Sequence, residues 1–165
     1  MEKQNKLVIA LCVLITVVLV LFILNYKKHY SSLKEAVTAT SRGGSIEEKF
    51  PCSHGDFVLI EGSNVMTSGY YYQENNKWYY DSNTVKKNYQ LEEDLNVSVY
   101  YYPNQDVSIV EIIEIKDAKI TDIEETEFKE KKKHEGQYIG VIPKELTRGY
   151  RITINEKEYK LTAKM

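Results

Sequence analysis

The sequence predicts a mostly β fold: a single N-terminal transmembrane helix and a short stalk, followed by a small β-sandwich or β-barrel-like domain. Three observations carry that expectation. Leu7 to Leu24, LVIALCVLITVVLVLFIL, contains no charged residue. From residue 50 onward, short apolar and aromatic runs alternate with turn residues, which is the signature of a small all-β domain. Tyrosine occurs 14 times against 4 phenylalanines and 1 tryptophan, and Tyr favours strands that keep one face wet.

Residues 1–6 form a polar tail carrying Lys3 and Lys6. As a helix, Leu7 to Leu24 spans about 27 Å, close to the hydrocarbon thickness of a bilayer. A cleaved signal peptide would have a shorter apolar region followed at once by a small-x-small site. Here Asn25-Tyr26-Lys27-Lys28-His29-Tyr30 follows instead, and Leu11 precedes Cys12 where a lipoprotein signal needs a small residue. Lys3 and Lys6 before the helix balance Lys27, Lys28 and Lys34 after it, so the positive-inside rule gives no orientation. A basic N-terminus ahead of an apolar segment is the layout of an N-in signal anchor, and it leads to the expectation of an extracytoplasmic C-terminal domain.

Residues 25–49 read as a juxtamembrane helix and a Gly/Ser linker. In YSSLKEAVTAT, Leu33, Ala36, Val37 and Thr40 recur at i, i+3, i+4 and i+7 and share one helix face. Ser41-Arg42-Gly43-Gly44-Ser45 then breaks the pattern, and IEEKF allows one short turn before Pro51.

The β-rich domain is placed at 50–165. Its expected strands are Asp56 to Glu61, Gly69 to Gln73, Lys77 to Asp81, the NVSVYYY run, the VSIVEIIEIK run, Ala118 to Ile123, Gln137 to Ile142, and a closing pair in RITI and EYKL. Glu74-Asn75-Asn76 is a hairpin turn between two aromatic strands, and Pro103-Asn104-Gln105-Asp106 is a second turn. Val107, Ile109, Ile113 and Ile115 are expected on one strand face. EETEFKEKKKHE reads as a solvated loop or short exposed helix, and PKELTRG as one helical turn opened by Pro143 and closed by Gly149.

Composition excludes several functions. The formal net charge is −2, and Lys131-Lys132-Lys133 is flanked by Glu130 and Glu135, so no nucleic-acid partner is expected. Of the 2 cysteines, Cys12 falls in the apolar run and Cys52 is left without a partner, so no disulfide is expected. Cys52, His54 and Asp56 share a face of an extended chain, the arrangement a small Cys/His-dependent enzyme would use. With His134, Cys52 and His54 give three metal-ligand types, but no finger or metalloprotease spacing joins them. No phosphate-cradling glycine loop, nucleotide fingerprint or EF-hand loop is present, so neither cofactor nor metal is expected.

The remaining signal is aromatic. Gly69, Tyr70, Asn75, Lys77, Trp78, Tyr79, Tyr80 and Asp81-Ser82-Asn83 together resemble one unit of the choline-binding or glucan-binding wall repeats. Sites in that family form between successive repeats, and no second copy follows here, so the resemblance implies no ligand. Neighbouring tyrosines on a strand face opposite sides, so some of them must point outward. Tyr70, Tyr72, Trp78, Tyr80, Tyr100 and Tyr102 are the expected binding residues, for a protein partner or a cell-wall glycan. The expected function is a membrane-anchored, non-enzymatic binding or scaffolding module of an envelope assembly, held to the lipid bilayer through Leu7 to Leu24. The alternatives are a pilin-like or secretion-machinery subunit, whose cleavage point and early Glu are missing here, and the Cys/His enzyme.

Overall fold

A computed structural model describes residues 12–20, 28–91, 95–124 and 126–163. Residues 12–20 form a helix, α1, with every side chain exposed, Leu14 at 60% and Leu19 at 55%. The rest of the apolar window, 7–11 and 21–24, lies outside the described residues. Among the described residues no helix is long and apolar enough to cross a membrane.

The fold is mostly β. Helix α2 is Leu33–Thr40. The first strands are β1 (Ser45–Cys52), β2 (Gly55–Glu61), β3 (Ser68–Glu74), β4 (Lys77–Asp81), β5 (Val85–Gln90), β6 (Asn96–Tyr102) and β7 (Val107–Ile112). The later ones are β8 (Ile120–Asp122), β9 (Lys129–Lys131), β10 (His134–Ile142), β11 (Arg151–Ile154), β12 (Lys157–Lys160) and β13 (Thr162–Ala163). They build three antiparallel sheets: sheet A, β1-β2-β3-β4; sheet B, β13-β5-β6-β7-β10-β9; and sheet C, β12-β11-β8.

These elements stack as α2, sheet A, sheet B and sheet C, with three apolar layers between them. Alternation along each strand assigns the side chains. In β2, Phe57 and Leu59 face sheet B while Val58 and Ile60 face α2. In β7, Val107 and Ile109 face sheet A while Val110 and Ile112 face sheet C. A strand buried on both sides has no polar face, which is why FVLI and VSIV read as nearly continuous apolar runs. The expected face of Val107, Ile109, Ile113 and Ile115 is therefore corrected. The strand stops at Ile112, Glu114 takes φ 71, and Ile115 packs on the sheet C side.

Local chemistry explains the turns. Asn75 and Asn76 have φ of 50 and 59, the left-handed pair that a two-residue type I′ hairpin requires and that Asn tolerates best among residues with a Cβ. Asn155 and Glu156 do the same between β11 and β12, with φ of 47 and 69. Gly140 lets Phe128 lie flat across β10: a Cβ there would sit 2.5 Å from the ring.

Three further expectations change. The run read as a stalk is packed: Leu33, Ala36 and Val37 of α2 are buried against Val58, Ile60 and Tyr71, and Ser41 is fully buried at the helix end. Residues 45–49 are part of β1, where Glu47 and Glu48 interrupt the apolar alternation and a register shift falls between Ile46 and Glu48. The charge-rich run is the β9–β10 hairpin, with its charges answered by sheet A. Lys133 Nζ lies 2.9 Å from Glu61, and the Lys132 amide donates to Glu48 at 3.0 Å. PKELTRG is irregular rather than helical; Leu146 plugs the sheet B–sheet C core and Gly149 turns the chain at φ 83.

Candidate functional site

Strand β4 is the edge of sheet A, and a short piece of chain covers half of it. The Tyr30 amide donates to Trp78 O and the Trp78 amide to Tyr30 O, both at 2.9 Å. Tyr30 thus forms an antiparallel bridge beside β4. Past that bridge the edge is open, and a groove of about 400 Å³ runs along it. Its walls are Lys28, Tyr30, Thr40, Tyr72, Tyr79, Tyr80, Asp81, Ser82, Asn83 and Asn104. Tyr79, Tyr80 and Asp81 are consecutive and point alternately to the two faces of the sheet. A groove touching all three must wrap the strand edge.

The groove joins aromatic rings to a carboxylate. Tyr72 and Tyr79 stack across the hairpin with centroids 5.2 Å apart and planes at 15°. His29 approaches Tyr79 at 6.1 Å, and Lys28 Nζ lies 5.6 Å from the Tyr30 ring centre. Asp81 is only 4% exposed. Its Oδ1 accepts from the Asn83 amide at 2.9 Å and from Asn104 Nδ2 at 3.3 Å, while its Oδ2 is buried with no hydrogen-bond partner. Burial first, and then the Asp81 charge, raise the pKa of the Tyr80 phenol.

The six tyrosine and tryptophan positions expected from the sequence occupy different surroundings. Tyr72 and Tyr80 line the groove. Tyr70 and Tyr102 are closed inside the layer between sheets A and B, rings 5.1 Å apart, and burial raises both phenol pKa values. Trp78 is half-buried beside α2. Tyr100 is half-buried on the other side of the molecule, where it lines a smaller cavity of about 210 Å³ with Glu111, Lys131 and His134. Sequence reasoning missed Tyr30, Lys28, Tyr79 and Asp81. Tyr79 and Asp81 were visible as the last residues of a strand ahead of Ser82-Asn83, but nothing local in the sequence announces that Lys28 and Tyr30 return to β4.

The residues of the thiol reading lie apart in character. Cys52 is half-buried at a mainly apolar cavity of about 290 Å³ that also touches Phe50, Val107 and Ile139. Burial pushes its thiol up to about 11, away from the thiolate a nucleophile needs. His54 is exposed in the β1–β2 turn, where its carbonyl accepts from the Gln73 amide at 3.2 Å. His134 opens β10 and lies 3.9 Å from Glu47. Among the described residues no group of three or more His, Cys, Asp or Glu gathers to hold a metal.

Sheet A as a whole also frames the wall-repeat resemblance, since the hairpin concerned is here the outer half of a four-stranded sheet. Comparison of the chain with protein-family models, with curated proteins and with solved structures returned no match.

Proposed function

We propose that this protein is a membrane-anchored, non-enzymatic β domain, extracytoplasmic, whose β4-edge groove is a binding surface within an envelope assembly. The observation that carries the reading is the groove itself: a tyrosine-lined edge with a buried carboxylate, walled by Lys28 and Tyr30 just after the apolar segment. Tyr gives contact area at low entropic cost, and a surface tethered to a membrane meets its partner at raised effective concentration. The exposed apolar side chains of α1 support the anchor, because a helix with no polar face needs a non-aqueous surrounding. The raised Cys52 thiol favours a binding role over thiol chemistry.

Alkaline carbonate extraction of membranes from cells expressing the full chain tests the anchor. The protein is expected in the pellet, and release into the supernatant would end the reading. Orientation is read with Lys116→Cys, since the Lys116 side chain is 73% exposed while Cys52 is shielded. A membrane-impermeant maleimide is expected to label Lys116→Cys in intact cells. Labelling only after lysis would place the domain on the cytoplasmic side.

A further inference from the structure

Asp81 Oδ2 makes a demand that the protein itself does not meet. The oxygen is buried, its carboxylate is 4% exposed, and no donor reaches it. A charged acceptor held away from water without its full set of donors is destabilising, and a structure retains one only where something else supplies the donor. Asp81 forms part of the groove wall, so that donor can enter through the groove. The other walls describe its chemistry. Tyr72, Tyr79, Tyr80 and Tyr30 offer π faces and phenol oxygens, which attract a cation. An orphaned oxygen needs an N–H, so the cation must be a primary ammonium; a quaternary ammonium carries no proton to donate.

A bare ammonium would also meet Lys28, which lines the same groove and carries the same charge. A zwitterion resolves that conflict: its ammonium turns to Asp81 and its phosphate to Lys28. The chain fixes where such a zwitterion is abundant. Lys28 follows Leu24 by four residues, which is at most about 14 Å of extended backbone. The groove therefore opens within reach of the headgroup layer of the bilayer in which the apolar segment sits.

We infer that the β4-edge groove binds the phosphoethanolamine headgroup of a membrane phospholipid, with its primary ammonium at Asp81 among the tyrosines and its phosphate at Lys28. The lipid source rests on the anchored reading proposed above; the headgroup chemistry does not. The groove volume of about 400 Å³ leaves room for that headgroup.

The test uses the full chain in nonionic detergent, with the only tryptophan, Trp78, as a built-in reporter one residue from Tyr79. The protein is titrated with O-phosphoethanolamine, O-phosphocholine, ethanolamine and inorganic phosphate, and calorimetry gives an independent reading. Saturable binding of O-phosphoethanolamine is expected, with O-phosphocholine and phosphate weaker by about tenfold or more. Asp81→Asn is expected to weaken O-phosphoethanolamine by a similar factor. Should that variant unfold, Lys28→Gln on the exposed side gives the second reading: weaker O-phosphoethanolamine, unchanged ethanolamine.

Equal binding of O-phosphocholine would overturn the proposal. So would the absence of saturable binding, or wild-type affinity in both variants. A second arm places the chain in phosphatidylglycerol nanodiscs with and without phosphatidylethanolamine. Trp78 emission is expected to differ between the discs, and Asp81→Asn to abolish the difference. Soluble binding without that difference would overturn the lipid source. A chain that is extracted by carbonate yet still binds O-phosphoethanolamine would separate failure of the anchor from failure of the site.

Discussion

The two faces of sheet A use the same residue type and hold it in opposite ways. Tyr71 faces α2; it is fully buried, and its hydroxyl lies 2.7 Å from Thr40 Oγ1. Tyr70, its neighbour, faces sheet B; it is equally buried, and its hydroxyl has no partner. The α2 side is a finished core in which a helix brings the polar partner a buried phenol needs. The sheet B side is aliphatic and aromatic, and its polar leftovers, Tyr70 Oη and Asp81 Oδ2, sit on residues directly opposite each other across β3 and β4. Burial therefore does not separate structural tyrosines from functional ones. Whether the polar tip is answered from within the chain does.

The largest effect that sharpens this contrast belongs to the sheet B side. Phe57 is 2% exposed and packs on Phe50 at 6.3 Å between the sheets. Phe57→Ala leaves a cavity where sheets A and B meet and is expected to cost about 3–5 kcal/mol in urea unfolding. A loss under about 1 kcal/mol would mean that the two sheets are not one cooperative unit.

On the α2 side the first test is the helix cap. The Ser32 side chain accepts from the Glu35 amide at 3.2 Å, and Glu35 reaches back to the Ser31 amide at 2.9 Å. Ser32→Ala is expected to lower stability by about 1 kcal/mol. If α2 were a loose stalk, its unfolding would not be coupled to the sheets and the global midpoint would not move. Tyr71→Phe removes the Thr40 hydrogen bond and is expected to cost about 0.5–1.5 kcal/mol in the same assay.

What the sequence revealed and what it concealed follow the same division between local and distant causes. Strands β2 and β4 and the Asn75-Asn76 turn were legible because their signals are contiguous: an apolar run, an aromatic alternation, and residues that tolerate positive φ. Strand β1 was hidden because Glu47 and Glu48 break its alternation, and their partners, His134 and the Lys132 amide, lie more than eighty positions away. The same pairing hid β9 and the start of β10, whose lysines look solvated until Glu48, Glu61 and Glu111 are brought to them. Strand β5 was hidden because VKKNYQ buries only Tyr89 in its length. Of the groove, Tyr72 and Tyr80 were legible as aromatics on a hairpin, whereas its edge position depends on Tyr30 pairing with Trp78 across the fold.

The smallest expected effect discriminates most sharply. Tyr70→Phe deletes a buried hydroxyl that makes no hydrogen bond, and the neighbouring Cys52 sulfur is only a weak acceptor. Removing an unsatisfied polar atom while keeping the ring that packs on Tyr102 leaves the apolar contacts intact and relieves a desolvation penalty. The change is expected to be neutral or stabilising, within about 0.5 kcal/mol, opposite in sign to Tyr71→Phe one residue away. Urea midpoints measured side by side, at constant slope, decide it. A loss above about 1 kcal/mol would mean that the Tyr70 hydroxyl is satisfied, and a bridging water between it and Asp81 is the natural partner on that face. That water would answer Asp81 Oδ2 as well, and the groove would then have no unmet acceptor to offer an ammonium. The stability of one conservative variant thus bears directly on whether the tyrosine edge is a site or a finished surface.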